Sequence, residues 1–474
     1  MQMKKIFIFL FYHLFSLATI AQVNLPAIFQ DNMILQQQNL VKFWGTTSPG
    51  KAVIIKTSWD NQIYKAISGK DSTWSIKVKT PEASYENYSI VFKGGKEKKI
   101  LQNILIGEVW LCSGQSNMDM RVKGYVNQPT NGSQEDIVSS SNNFLRCYTL
   151  KQVSSIQQKY DCPGSWEIAS PNTTGNFSAT AYYFGRLLQK TINVPVGLIH
   201  CSWGGSTIEA WMSPDAMKPF PELKLPVSDD DNRTRWKTPT VLYNGMLSAI
   251  IGYGMRGAIW YQGESNRTAY QRYAAQFSEM HNDWIKKWDI GEFPIYFCQL
   301  APYKYGDESK YNNAFMREVQ QKIAQSQPNT GMAVLMDVGD ELCIHPANKK
   351  QAGERLAYIA LGKNYGFDKF SYQSPEYKSI EIKENKLTVR FNYAPDGVTS
   401  FGSPLTGFEI AGADKVFYPA DANLIRVGVE LTSPNVPVPV AVRYAFKDYI
   451  KGTLFGVNGL PVSSFRSDDW DEVK

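Results

Sequence analysis

The chain has 474 residues, long enough for two or three domains rather than one. Hydrophobic residues make up 43% and charged residues 20%, which excludes a disordered chain or a coiled coil. The formal net charge is only +6 and no dense Lys/Arg stripe is present, so no nucleic-acid partner is expected.

The chain opens "MQMKKIFIFLFYHLFSLATIAQ", with Lys4 and Lys5 ahead of an apolar stretch from Ile6 to about Ile20. This pattern predicts a secretory signal peptide over residues 1–21, cleaved before Gln22. The stretch is too short, and too broken by Tyr12 and His13, to span a membrane well. Its removal leaves a net charge of +4, and no Cys follows the cleavage site to carry a lipid. The expected location is periplasmic or extracellular, with no membrane contact after cleavage.

Residues 22–103 read as an N-terminal antiparallel β domain. "LVKFWGTTSPGKAVIIKTSW", "TWSIKVKT" and "NYSIVFK" alternate apolar and polar positions between turn residues. From 104 to 367 buried strand patterns alternate with helical ones: "EVWLCSG", "FSATAYYFGRLLQKTI" with Ser178 as a cap, "VPVGLIHCS", "MRGAIWYQG", "YQRYAAQFSEMHNDWIKKW", "FPIYFCQL" and "GMAVLMDVG". Strand, loop and helix in repetition predict an α/β domain with a parallel sheet covered on both faces. Residues 368–474 return to strand texture, a C-terminal β-rich region.

The chain has six cysteines, with no CxxC and no Cys–His pair at metal spacing. Cys112, Cys201 and Cys298 fall in or beside apolar strands and read as buried thiols. Cys147 and Cys162 are the expected disulfide. Aromatic residues reach 13%, which suits either sugar-stacking platforms or a large β core.

"GQSNMDM" places Ser116 directly after the strand "ILIGEVWLCS", where open α/β sheets carry chemistry. It is not a G-x-S-x-G elbow, because Met118 occupies the last glycine position. "WGGS" and "QGES" follow other parallel-strand candidates and should reach the same sheet edge. Gly204 and Gly205 leave room for inward backbone N–H groups, and Gln262 offers an amide, which together make an oxyanion hole. A base is scarce, since the chain has four histidines. His13 leaves with the leader, and His281 belongs on the surface of a helix. His200 ends a strand; His345, in "DELCIHPANK", is the stronger candidate.

Together "GQSNM", "WGGSTIEAW", "WYQGES" and "IHPANK" resemble the SGNH (GDSL-type) hydrolases, and within them the sialate O-acetylesterase family of carbohydrate esterases. "LYNGMLSAIIGYGMRGAIWYQGESN", "MREVQ" and "GLPVSSFRSDDW" extend the similarity over most of the chain. The resemblance implies a flavodoxin-like three-layer catalytic domain flanked by β-rich regions. It implies Ser116 as nucleophile, His345 as base, and an oxyanion hole from Ser116, Gly205 and Gln262. Glu264 would orient its loop or touch substrate.

Asp often stands three residues before the histidine in this superfamily; here Leu342 does. Asp340, Glu341, Asp337 or a backbone carbonyl are left to orient the ring, and a Ser–His dyad is expected. Arg317 and Lys349 are candidates to pair with a sugar carboxylate, Trp211 to stack on a sugar, and Asn244 to line the pocket. The implied activity is serine-dependent O-deacetylation of sialic acid, most favoured at the 9-position, with no metal or organic cofactor. The alternatives are an esterase for another acetylated glycan such as xylan, and a non-catalytic carbohydrate-binding protein. A lipase lacks an apolar lid segment.

Overall fold

The computed structural model describes residues 22–95, 97–232, 234–306 and 311–470. The expected signal peptide lies outside the described residues.

The fold is organised around β1 (Glu97–Gly114), whose two halves have different patterns. Its first half, "EKKILQN", carries exposed Lys and Gln and pairs antiparallel with the strand Ser84–Gly94. Its second half, "ILIGEVWLCSG", is apolar almost throughout and buried on both faces, as a central parallel strand must be. There it lies between β4 (Val196–Ser202) and β5 (Gly257–Tyr261), parallel to both. The boundary expected at 103/104 therefore falls inside one unbroken strand.

With β2 (Asn142–Leu150), β3 (Gly164–Ala169), β6 (Ile295–Cys298) and β7 (Thr330–Ala333), the order is β7-β6-β5-β1-β4-β2-β3. All neighbours are parallel except β2 and β3. Taken along the chain, β4-β1-β5-β6-β7 run in the flavodoxin-like order 2-1-3-4-5, and β2 adds a further parallel strand outside β4. The reason lies in burial: β4 is buried at every residue and takes the inner place, whereas β2 starts on polar, partly exposed asparagines and sits outside it.

Helices cover both faces. On one, α2 (Ala179–Ile192) packs on α5 (Lys349–Asn364), with Phe184, Leu188, Leu356 and Ala360 in a common core. Gly353 permits the close approach, since a Cβ there would press on the Thr180 carbonyl. Ser178 caps α2 by accepting from the Ala181 N–H at 3.2 Å. On the other face, α3 (Tyr270–Trp288) and α4 (Asn312–Ser326) bury Phe277, Met280, Trp284, Met316 and Ile323. That core continues into the N-terminal strands through Phe29, Trp44 and Tyr253.

The C-terminal region forms two four-stranded sheets around Leu387, Val389, Ile410, Val429 and Tyr444. Val334 and Met336, just past β7, join that core. Polar contacts complete the seam: Arg466 clamps Glu318 with two bonds of 3.0 Å, and Gln299 donates to Ser463 at 2.7 Å.

Two expectations are corrected. All six cysteines are free: Cys147 faces Thr149 on β2 and Cys162 donates to the Lys151 carbonyl. His281 is buried rather than on the surface, with Nε2 against the Phe293 carbonyl at 2.9 Å.

Glu108 of β1 is fully buried and held by Arg256 at 2.8 and 3.0 Å, with Gln36, Gln37 and Tyr365 as further donors. These contacts hold its carboxyl below the ordinary range despite burial. Arg256→Ala leaves that carboxylate without its cation and should cost about 3 kcal/mol in guanidinium unfolding. A loss below about 1 kcal/mol would mean that the neutral donors suffice.

Candidate active site

β1 ends at Gly114, whose φ of 138° suits glycine. A Cβ there would collide with the Tyr261 carbonyl at the end of β5. The chain then turns into α1 (Ser116–Asp119), a single helical turn. Gln115 and Asn117, either side of Ser116, are buried, while Ser116 is partly open. The Gln115 side-chain oxygen accepts from Gln262 at 3.2 Å and from the N–H groups of Gly263 and Ser265 at 3.3 Å each. The Asn117 amide donates to Glu264 at 2.6 Å and to the Ile344 carbonyl at 3.2 Å. The two neighbours thus tie the Ser116 turn to the "QGES" and "IHPANK" loops.

Gly204 and Gly205 follow β4 on the other side. A Cβ on Gly204 would stand 3.5 Å from the Ser116 Cβ, so this loop lies against the serine. Gly205 has φ 74°. Among the described residues the N–H groups of Ser116, Gly204 and Gly205 have no hydrogen-bond acceptor. Gln262 differs from expectation. Its amide nitrogen is buried and faces Gln115, the Ser206 carbonyl and Asn266 at 3.2, 3.1 and 2.7 Å. Its oxygen accepts from Tyr273 at 2.8 Å. With its donors engaged inside the protein, Gln262 braces the site rather than offering an N–H to a substrate.

His345 is half-buried beside Tyr125, edge to face at 5.5 Å. Tyr125 in turn donates to Asp119 at 3.0 Å and to the Ser116 carbonyl at 3.3 Å. The Nδ1 of His345 bonds to the Gln128 side-chain oxygen. An amide oxygen only accepts, so the proton sits on Nδ1 and Nε2 keeps its lone pair. No hydrogen bond joins Ser116 Oγ to the ring. The carboxylates considered from sequence are elsewhere: Asp337 on Arg355 at 2.7 Å, Glu341 on Lys304 at 2.9 Å, Asp340 on the N–H groups of Leu342 and Cys343. Gln128 was not legible beforehand, because "VNQPT" has no periodicity and lies 217 residues from the histidine.

Behind this surface Lys349, the first residue of α5, is fully buried, with Nζ on the Asn117 oxygen and over the Tyr261 ring at 5.6 Å. Burial pushes its ammonium down to about 7, with Glu264 opposing. Burial also raises Glu264, against Asn117 and Lys349. Burial and the Lys349 charge press His345 down to about 4.

The remaining candidates lie inside the protein. Glu264 serves Asn117, not a ligand. Arg317 is buried against Ser464 at 3.0 Å and the Lys447 carbonyl. Trp211 is buried, donating to Ser206 at 2.9 Å, and Asn244 donates to the Ile156 carbonyl at 3.0 Å. His200 is buried against Ser202 at 2.7 Å. Among the described residues no group of three His, Cys, Asp or Glu side chains is arranged to hold a metal ion.

A family model described as carbohydrate esterase, sialic acid-specific acetylesterase, matches residues 106–361. The chain is 28% identical to a sialate O-acetylesterase of Mus musculus, covering 89% of each chain. It is also 28% identical to that of Homo sapiens, over 77% of this chain and 75% of the other. A solved carbohydrate acetylesterase from Xanthomonas citri superposes with a TM-score of 0.86 at 30% identity, over 95% of this chain and all of that one. The class is therefore that of an ester hydrolase acting on carbohydrate. More narrowly, the chain belongs to the sialic acid-specific acetylesterase family of carbohydrate esterases.

The buried Lys349 charge acts on His345 through the protein interior. In Lys349→Met the His345 pKa should rise, read from its ring proton shifts in an NMR titration. An unchanged titration would place the cause of the shift in burial alone.

Proposed function

We propose that the protein removes O-acetyl groups from sialic acid, 9-O-acetyl most favoured, through a serine acyl-enzyme on an SGNH-type core. The observation that carries the mechanism is the setting of Ser116, at a helix start among N–H groups that have no acceptor. Ser116 Oγ attacks the acetyl carbonyl carbon while His345 Nε2 takes its proton. The carbonyl oxygen becomes an oxyanion held by the N–H groups of Ser116 and Gly205. His345 returns the proton to the leaving sugar oxygen, and water releases acetate by the reverse roles. Gln128 holds the imidazole tautomer without adding charge, so the site works as a dyad with a neutral positioning residue.

Sialic acid is supported by the sialate O-acetylesterase relatives. One observation favours the second reading, another acetylated glycan such as xylan: Arg317 is buried and engaged, so it does not meet a sugar carboxylate. Export is also proposed, on the apolar leader over residues 1–21.

Acetate release from 9-O-acetylated sialic acid and from acetylated xylan fragments tests both readings side by side. Ser116→Ala should lower turnover by about 10³-fold or more. Release from xylan alone would discard the sialic acid assignment and keep the chemistry, whereas release that survives in Ser116→Ala would discard the chemistry.

The base must be neutral to accept a proton. With His345 held at about 4 rather than its ordinary 6.5, activity should persist down to mildly acidic pH and fall as pH drops through about 4. Gln128→Glu places a carboxylate on Nδ1 and should move that acid limb upward. A limb near 6.5 in the wild type would contradict this placement of the histidine.

A further inference from the structure

Beside the nucleophile lies an open cavity of about 770 Å³, lined among others by Gln152, Trp203, Asp229, Asp230, Asn232 and Arg235. Its volume is within the usual range for small-molecule sites, about 300–1,000 Å³. Two of its lining residues touch the elements that carry Ser116 and Gly204. Trp203 immediately precedes Gly204, and its N–H donates to the Gly114 carbonyl at 3.1 Å. Gln152 reaches Asp119 of α1 at 3.4 Å and the Ser202 carbonyl at 3.3 Å. Trp236 places its indole nitrogen 3.1 Å from where a Gly205 Cβ would stand, so a second ring borders the oxyanion loop.

The polar groups here differ from those behind Ser116. There, Gln115, Asn117, Gln262, Glu264 and Lys349 bond to one another or to neighbouring loops. Asp229, Asp230 and Arg235 are exposed, and among the described residues they have no hydrogen-bond or ion-pair partner. Two carboxylates without a protein partner can accept hydrogen bonds from a ligand's hydroxyls. A ring bearing several hydroxyls supplies the donors, and its C–H face suits the half-buried Trp203 indole.

We propose that this cleft is a saccharide subsite for a hydroxyl-rich sugar unit linked to the acetylated one. The substrate is then an acetylated oligosaccharide rather than a free acetylated monosaccharide. The inference rests on the deacetylase reading and extends it to the neighbouring sugar.

The test compares kcat/KM on paired substrates: 9-O-acetylated sialic acid free and linked to lactose, and acetylated xylose against acetylated xylotriose. Wild type should prefer the linked member of its pair by about tenfold or more, the worth of one or two hydrogen bonds to a charged group. The double variant Asp229→Asn/Asp230→Asn, on an exposed segment, should bring that ratio towards one, and Trp203→Ala should do the same. A wild-type ratio near one, or a ratio unchanged in both variants, overturns the subsite. Ser116→Ala, run in parallel, separates the two levels. Release that survives there overturns the serine mechanism, whereas Ser116-dependent release without a length preference overturns the subsite alone.

Discussion

At Gly114 the backbone of β1 approaches the Tyr261 carbonyl so closely that no side chain fits between them. The loops of the site take their positions from that contact. Because β1 and β5 end together there, Gln115 can gather Gln262 and the N–H groups of Gly263 and Ser265 on one oxygen. Because the chain then turns at once into α1, Ser116 starts a helix with its N–H unclaimed among the described residues, and the adjacent Gly204–Gly205 loop adds two more. A bulkier residue at 114 would separate the strand ends, and each of these contacts depends on their separation.

The second constraint is electrostatic. Placing Lys349 and Glu264 in the interior costs several kcal/mol per ion unless polar groups replace water. Asn117 replaces part of it for both, with its oxygen on Lys349 and its amide on Glu264, while the other Glu264 oxygen has no partner among the described residues. Burial accordingly moves both groups towards their neutral forms. The arrangement joins three loops through one side chain next to Ser116. Burial, and after it the Lys349 charge, lower the His345 pKa, while the Gln128 oxygen on Nδ1 adds no charge to the ring. In the proposed mechanism an ester asks less of such a base than an amide does, because its leaving oxygen is easier to expel.

The flanking β regions support the core rather than stand apart from it. The N-terminal sheet shares β1 and the aromatic cluster around Phe29 and Trp44. The C-terminal sheets take in Val334 and Met336 and fix α4 through Arg317 and Arg466. Arg317, conspicuous in "MREVQ", thus serves an interface between regions.

The alternation of buried strands and amphipathic helices was legible in the sequence because periodicity is a local property. So were Ser116, Gly205 and His345 as residues of one sheet edge, since each follows a parallel strand. The Ser178 cap was legible for the same reason. What side chains do once the edge is assembled was not. Whether Gln262 faces solvent or Asn266, whether Arg317 meets a ligand or Ser464, and whether His281 lies outside or under Phe293 depend on partners distant in the chain. The strand order turned on which of two apolar strands is buried on both faces, a matter of packing rather than pattern. Gln128 on His345 is the plainest case: hydrogen bonding needs two atoms within about 3 Å, and only the closed tertiary structure brings the 121–132 loop to the histidine.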